Sequence, residues 1–129
     1  MLIHVISTQS FIIPICLSFY YQQYLLFCTY LMMYSGSTIY HLNDKCKKKR
    51  LVDLTTSRLG GIITFYYHIS HTNNISFPIV LLHNITSLYV IFRLLHYYQN
   101  ILWIHIHVYF HIVTSFTLVC VCMDIIHFF

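Results

Sequence analysis

The chain has 129 residues, of which 58% are hydrophobic and only 8% are charged. Soluble globular domains carry about 25% charged residues, so this chain lacks the charge to cover a soluble surface. Intrinsic disorder is excluded as well, because disordered segments combine low hydrophobicity with high charge. We therefore expect residues 1–129 to form a single integral membrane unit, with the lipid bilayer as its predicted partner.

Three long stretches contain no Asp, Glu, Lys or Arg: residues 1–43, 59–92 and 94–123. A membrane-spanning helix needs about 20 predominantly apolar residues. Inside a bilayer every backbone polar group must be hydrogen-bonded within the protein, so such segments form helices. We predict an all-α protein with spans at about 11–33, 76–95 and 101–123, and with Trp103 at the membrane–water interface.

Residues 20–24, with the sequence Tyr-Tyr-Gln-Gln-Tyr, place polar groups in the middle of the first predicted span. Glutamine without a partner is poorly tolerated at that depth, and tyrosine favours the interface. If these residues form a turn, the first window is a helical hairpin and the chain has four spans. The sequence leaves three and four spans open.

Six of the seven basic residues lie between 43 and 58. We predict a solvated loop over this range, held in the cytoplasm by the positive-inside rule. With three spans the C-terminus is then cytoplasmic and the N-terminus is outside, whereas with four spans both termini are cytoplasmic. A short basic run is a weak signal for nucleic-acid binding, so we expect no nucleic-acid partner, and no protein partner is indicated.

Small residues are scarce in this chain, which has no alanine and only three glycines, all outside the predicted spans. Membrane helices pack through small residues, because these let the backbones approach closely. Only serine and threonine are left for this purpose, so we predict loosely packed helices. The candidates within the spans are Ser18, Thr29, Thr86, Ser87, Thr114, Ser115 and Thr117.

Histidine, with ten copies, is the enriched residue type that carries chemistry. On a helix His107 and His111 share one face, and this spacing can hold a transition-metal ion or haem iron. His105 would point about 160° away from His107, at 100° per residue. His68 and His71 form a second close pair. We assign no metal site from sequence, and name His107 and His111 as the candidate ligands of an alternative reading.

Motifs of catalysis are missing from the sequence, which has no nucleophile elbow, no phosphate-binding loop and only three scattered aspartates. We expect no enzymatic activity, catalytic residue or cofactor. The leading prediction is a small integral membrane protein with no assignable biochemical activity, and the alternative is a membrane-embedded histidine-based metal or haem binder. The lack of alanine and glutamate also fits translation of T-rich DNA, so an unselected reading frame without function is the third hypothesis.

Overall fold

The computed structural model describes residues 2–43, 45–72, 76–98 and 101–128, without the side chains of 76–82, 92, 103, 127 and 128. The Trp103 side chain and residues 99–100, between the last two predicted spans, therefore lie outside the description. The described residues contain helices and turns and no strand, which confirms the all-α prediction. The elements are α1 (Leu2–Thr8), a 3₁₀ turn (Gln9–Phe11), α2 (Ile12–Tyr20), α3 (Tyr24–Leu42), α4 (Lys47–Thr72), α5 (Ser76–Tyr97) and α6 (Leu102–Phe128).

Side-chain contacts and short connections fix the directions of α1, α2, α3, α4 and α6 within one bundle. α1 and α2 form a first arm, and α3 returns antiparallel to it after a short turn. α6 runs parallel to the first arm, because the Ser115 hydroxyl donates to the Ser10 carbonyl at 2.6 Å and the Gln23 amide donates to the Cys122 carbonyl at 3.2 Å. α1, α4 and α6 thus begin, and α3 ends, at one end of the bundle. We call it the basic end, since it holds Lys45 and the start of α4 at Lys47–Arg50.

A close approach of α3 and α4 depends on two glycines. A Cβ atom at Gly36 would collide with Thr56, and one at Gly60 would collide with Met33. We expected no part for glycine in helix packing, and the structure corrects that expectation. The expectation considered only the predicted spans, whereas α3 and α4 extend beyond them.

The basic stretch is another correction, because residues 47–58 of the predicted loop belong to α4. Lysine, arginine and leucine are good helix formers in water, so a solvated segment rich in them need not be a loop. α4 also has a face to bury against its neighbours. Its buried residues are Gly60, Thr64, His68 and Thr72.

A turn at residues 21–23 replaces the middle of the single span predicted over 11–33. Gln22 adopts a left-handed conformation with a φ of 58°. Its N–H donates to the Phe19 carbonyl at 3.0 Å, and the Gln23 N–H donates to the Ser18 carbonyl at 2.8 Å. These two bonds form a Schellman motif, which ends a helix by satisfying its last carbonyls. The observed break corresponds to the hairpin that the sequence left open.

Pro14 leaves a gap in the hydrogen bonding of the first arm. Proline has no N–H, so it cannot donate to the Ser10 carbonyl four residues earlier. The chain adopts a 3₁₀ turn just before it, and the Ser115 hydroxyl of α6 donates to that carbonyl instead. The carbonyl that Pro14 leaves without a donor in the first arm is therefore satisfied by a hydrogen bond from α6.

The distribution of polarity is inverted relative to a soluble protein. In the described part of the chain, fifteen buried side chains are polar and ten, including Pro14, are apolar, while 28 large hydrophobic side chains are exposed. Two helical stretches there, Leu2–Tyr20 and Ile104–Ile126, are long and apolar enough to cross a membrane. The three or four spans and the loose helix packing that we predicted from the sequence are not confirmed. Of the predicted packing residues, Thr86 is exposed and Ser87 is half-buried, and the buried ones are Ser18, Thr29, Thr114, Ser115 and Thr117.

Candidate metal centre

Four histidines meet at the basic end of the bundle. His4 comes from α1, His41 from the last turn of α3, and His107 and His111 from α6. One ring nitrogen of each of His4, His41 and His107 lies within 4.8 Å of the other two. The fourth histidine adjoins this group, with the Nε2 atoms of His107 and His111 3.2 Å apart. We call these four residues the histidine cluster.

The spacing can be compared with that of a zinc site. Zinc–nitrogen bonds of about 2.0–2.1 Å place neighbouring nitrogens of a tetrahedral site about 3.3 Å apart. The separation between the Nε2 atoms of His107 and His111, 3.2 Å, matches one such edge. The ligand nitrogens of His4, His41 and His107 lie up to 4.8 Å apart, which is longer than such an edge. The side chains of His4 and His41 must therefore rotate inward before all three can bind one ion.

The space between the rings decides between a bare ion and haem. Ring centroids of neighbouring histidines lie between 4.4 and 5.2 Å apart across the histidine cluster. Rings this close fill the space between them and leave no slot for a porphyrin. This space therefore does not fit haem, whereas a single ion would fit among the nitrogens after His4 and His41 have rotated inward.

The surroundings bury most of the histidine cluster and orient the ring of His111. His4, His41 and His111 are each 3–5% exposed, and His107 is half-buried. The Ser7 hydroxyl lies 2.7 Å from His111 Nδ1 and donates to the His4 carbonyl at 2.9 Å. Such partners behind a ring orient metal-binding histidines in proteins.

Sequence spacing identified half of the histidine cluster. His107 and His111 do face the same way, and His105 is exposed, as the helical angle predicts. His4 and His41 were missed, because no local spacing connects them to α6. A signal was nevertheless available: a hairpin with its turn at residues 20–24 brings the start of the first arm back to the end of α3.

The second histidine pair does not form a joint site. His71 donates its Nδ1–H to the Tyr67 carbonyl of its own helix at 2.8 Å. His68 is fully buried and its Nε2 lies 2.5 Å from Asp124 Oδ2, in a hydrogen bond that joins α4 to α6. His68 and Asp124 lie near the bundle end opposite the basic end. Two open cavities of about 390 and 760 Å³ lie at the same end, around Gln22.

No protein family, curated protein or solved structure matches this chain. The assignment of a function therefore starts from the geometry of the histidine cluster.

Proposed function

We propose that the protein is a small helical membrane protein that binds one transition-metal ion in its histidine cluster. The observation that carries the proposal is the convergence of His4, His41 and His107, whose ligand nitrogens lie within 4.8 Å of one another. They come from three helices that are far apart in sequence. This proposal takes up the alternative reading of the sequence, without haem.

The donor atoms indicate the class of ion. All four side chains of the histidine cluster offer imidazole nitrogen, which suits zinc, copper, iron and nickel. Magnesium and calcium prefer carboxylate and carbonyl oxygen. We therefore propose a divalent first-row ion, and Zn²⁺ is the simplest probe because it accepts four nitrogen ligands in tetrahedral geometry.

The inverted polarity supports a membrane location. Contiguous exposed apolar surface is rare on soluble monomers, and membrane proteins direct their polar side chains toward the bundle interior. The buried serines, threonines and histidines of this chain follow that pattern. Leu2–Tyr20 and Ile104–Ile126 are the segments proposed to cross the bilayer.

The test is a metal titration of the detergent-purified protein, stripped with a chelator and then loaded with Zn²⁺ or Co²⁺. We expect one ion per chain, and a visible absorption of bound Co²⁺ typical of tetrahedral coordination. His107→Ala and His4→Ala should each abolish this uptake. His105→Ala is the matched control, because His105 lies on the same helix two residues away but is exposed.

Two outcomes would overturn the proposal. One is a folded wild-type protein that takes up no ion. The other is an equal loss of uptake in the His105→Ala control, since the ion would then be bound by surface histidines.

A further inference from the structure

The hydroxyl group of Ser7 has two partners and one hydrogen. Ser7 is 8% exposed and lies on α1, three residues after His4. Its Oγ is 2.9 Å from the His4 carbonyl oxygen and 2.7 Å from His111 Nδ1. A hydroxyl can donate one hydrogen bond and can accept others.

These two contacts determine which nitrogen of His111 carries the proton. A carbonyl oxygen only accepts, so the Ser7 hydroxyl must donate to the His4 carbonyl. It can then only accept from His111, and Nδ1 of that ring must be the N–H donor. A neutral imidazole has one N–H, which leaves Nε2 of His111 unprotonated, so that its lone pair accepts a hydrogen bond from His107 Nε2–H at 3.2 Å in the metal-free protein.

The lone pair faces the histidine cluster, because His111 Nε2 is the atom that lies 3.2 Å from His107 Nε2. A metal ligand needs such an unprotonated nitrogen, and the opposite ring N–H is usually held by an acceptor. We infer that Ser7 is a positioning residue that fixes the Nδ1–H tautomer of His111 and so presents His111 Nε2 as the fourth ligand. The ligand role rests on the proposed function, whereas the tautomer does not.

Two residues of α1, one helical turn apart, therefore contribute to the metal site in different ways. His4 gives a ligand directly, and Ser7 prepares a ligand that belongs to α6. Removing the Ser7 hydroxyl should leave His111 free to exchange its proton between the two ring nitrogens. Part of the population would then present an N–H to the ion in place of a lone pair.

The tautomer can be measured in the metal-free protein by ¹⁵N chemical shifts of labelled histidine rings, with His111→Gln identifying the His111 signals. We expect Nδ1 to be protonated in the wild type and the Nε2–H form to appear in Ser7→Ala. Zn²⁺ affinity of Ser7→Ala should fall roughly 10–100-fold, as is typical for the loss of such a partner. Ser7→Thr keeps the hydroxyl and should restore both properties.

Ser18→Ala is the matched control. Ser18 is also buried, and its hydroxyl makes the same type of bond, to the Ile15 carbonyl at 2.9 Å, but away from the histidine cluster. It should change neither the tautomer nor the affinity. A wild-type His111 with unprotonated Nδ1, or a Ser7→Ala protein with unchanged tautomer and affinity, would overturn the inference. If the wild type binds no ion, the proposed function fails separately, and the tautomer measurement still tests the role of Ser7.

Discussion

Asp53 lies half-buried on α4, close to two serine hydroxyl groups. Burial raises the pKa of its carboxyl group from 3.8 to about 6, and hydrogen bonds from Ser37 and Ser57 oppose that rise. The folded protein therefore holds this proton more tightly than the unfolded chain. The resulting stabilisation is complete below about pH 3.8 and is lost as the pH rises through about 6.

Asp53→Asn should remove this pH dependence, because the amide stays neutral throughout. We expect the thermal unfolding midpoint of the wild-type protein in detergent to fall between about pH 4 and 6, in keeping with the pKa shift. The Asn variant should show a smaller fall, and Ser57→Ala a larger one. Equal pH profiles for wild type and Asp53→Asn would contradict the assignment.

Single residues were predictable where their partners are close in sequence. The shared face of His107 and His111, and the exposure of His105, follow from the angle per residue of a helix. The pairing of Ser115 with the Ser10 carbonyl, and of His68 with Asp124, spans more than 50 residues. Such pairs form only when the helices run in particular directions relative to one another. Composition and residue spacing do not specify those directions.

The turn between α2 and α3 has glutamine where most helix endings have glycine. Gln22 adopts a φ of 58°, a conformation that costs an L-amino acid about 1–2 kcal/mol. Glycine avoids that cost and is the usual residue at this position of a Schellman motif. The polar turn was recognisable in the sequence, whereas the left-handed residue in it was not.

Gln22→Gly should therefore raise the free energy of unfolding, by about 1 kcal/mol or less once the greater freedom of glycine in the unfolded chain is subtracted. Denaturant unfolding followed by circular dichroism in detergent would measure it. Gln23→Gly is the control, since Gln23 has a φ of −85° and its amide donates to the Cys122 carbonyl. That control should destabilise the protein, and the same sign for both variants would refute the explanation.

Helix types were easier to predict than helix ends. The apolar windows became helices, and the last predicted span overlaps the candidate span Ile104–Ile126. The helix breaks inside 11–33, as in the hairpin alternative, and α4 begins at Lys47 inside the predicted loop 43–58. Hydropathy did not decide either boundary, because it records where a segment is apolar and not where its backbone turns. Lys47 begins a helix whose later residues are buried, which charge alone does not indicate.

The bundle directions carry a consequence for orientation in the membrane. α1 and α6 begin at the basic end, next to lysines that the positive-inside rule predicts to be cytoplasmic. In the proposed membrane arrangement the residue 128 end of α6 would then lie on the opposite side. Both arrangements considered from sequence placed the C-terminus in the cytoplasm.

An epitope added before Met1 should react with antibody only after permeabilisation of cells, whereas one added after Phe129 should react on intact cells. This result follows from the parallel directions of the first arm and α6. Retention in the pellet after alkaline carbonate extraction would establish insertion in the same samples. Two cytoplasmic epitopes, or release of the protein by carbonate, would contradict the proposed arrangement.

An ion bound by both His4 and His107 would close a loop of about 100 residues, which is most of the chain. For a covalent cross-link, a loop of that length corresponds to about 4.7 kcal/mol of lost chain entropy in the unfolded state. α1 is the seven-residue first part of the Leu2–Tyr20 stretch, and the 3₁₀ turn Gln9–Phe11 separates it from α2. Loss of the ion would therefore release the start of the chain first. The concentration of available metal would then determine the fraction of molecules in which α1 is packed against the bundle.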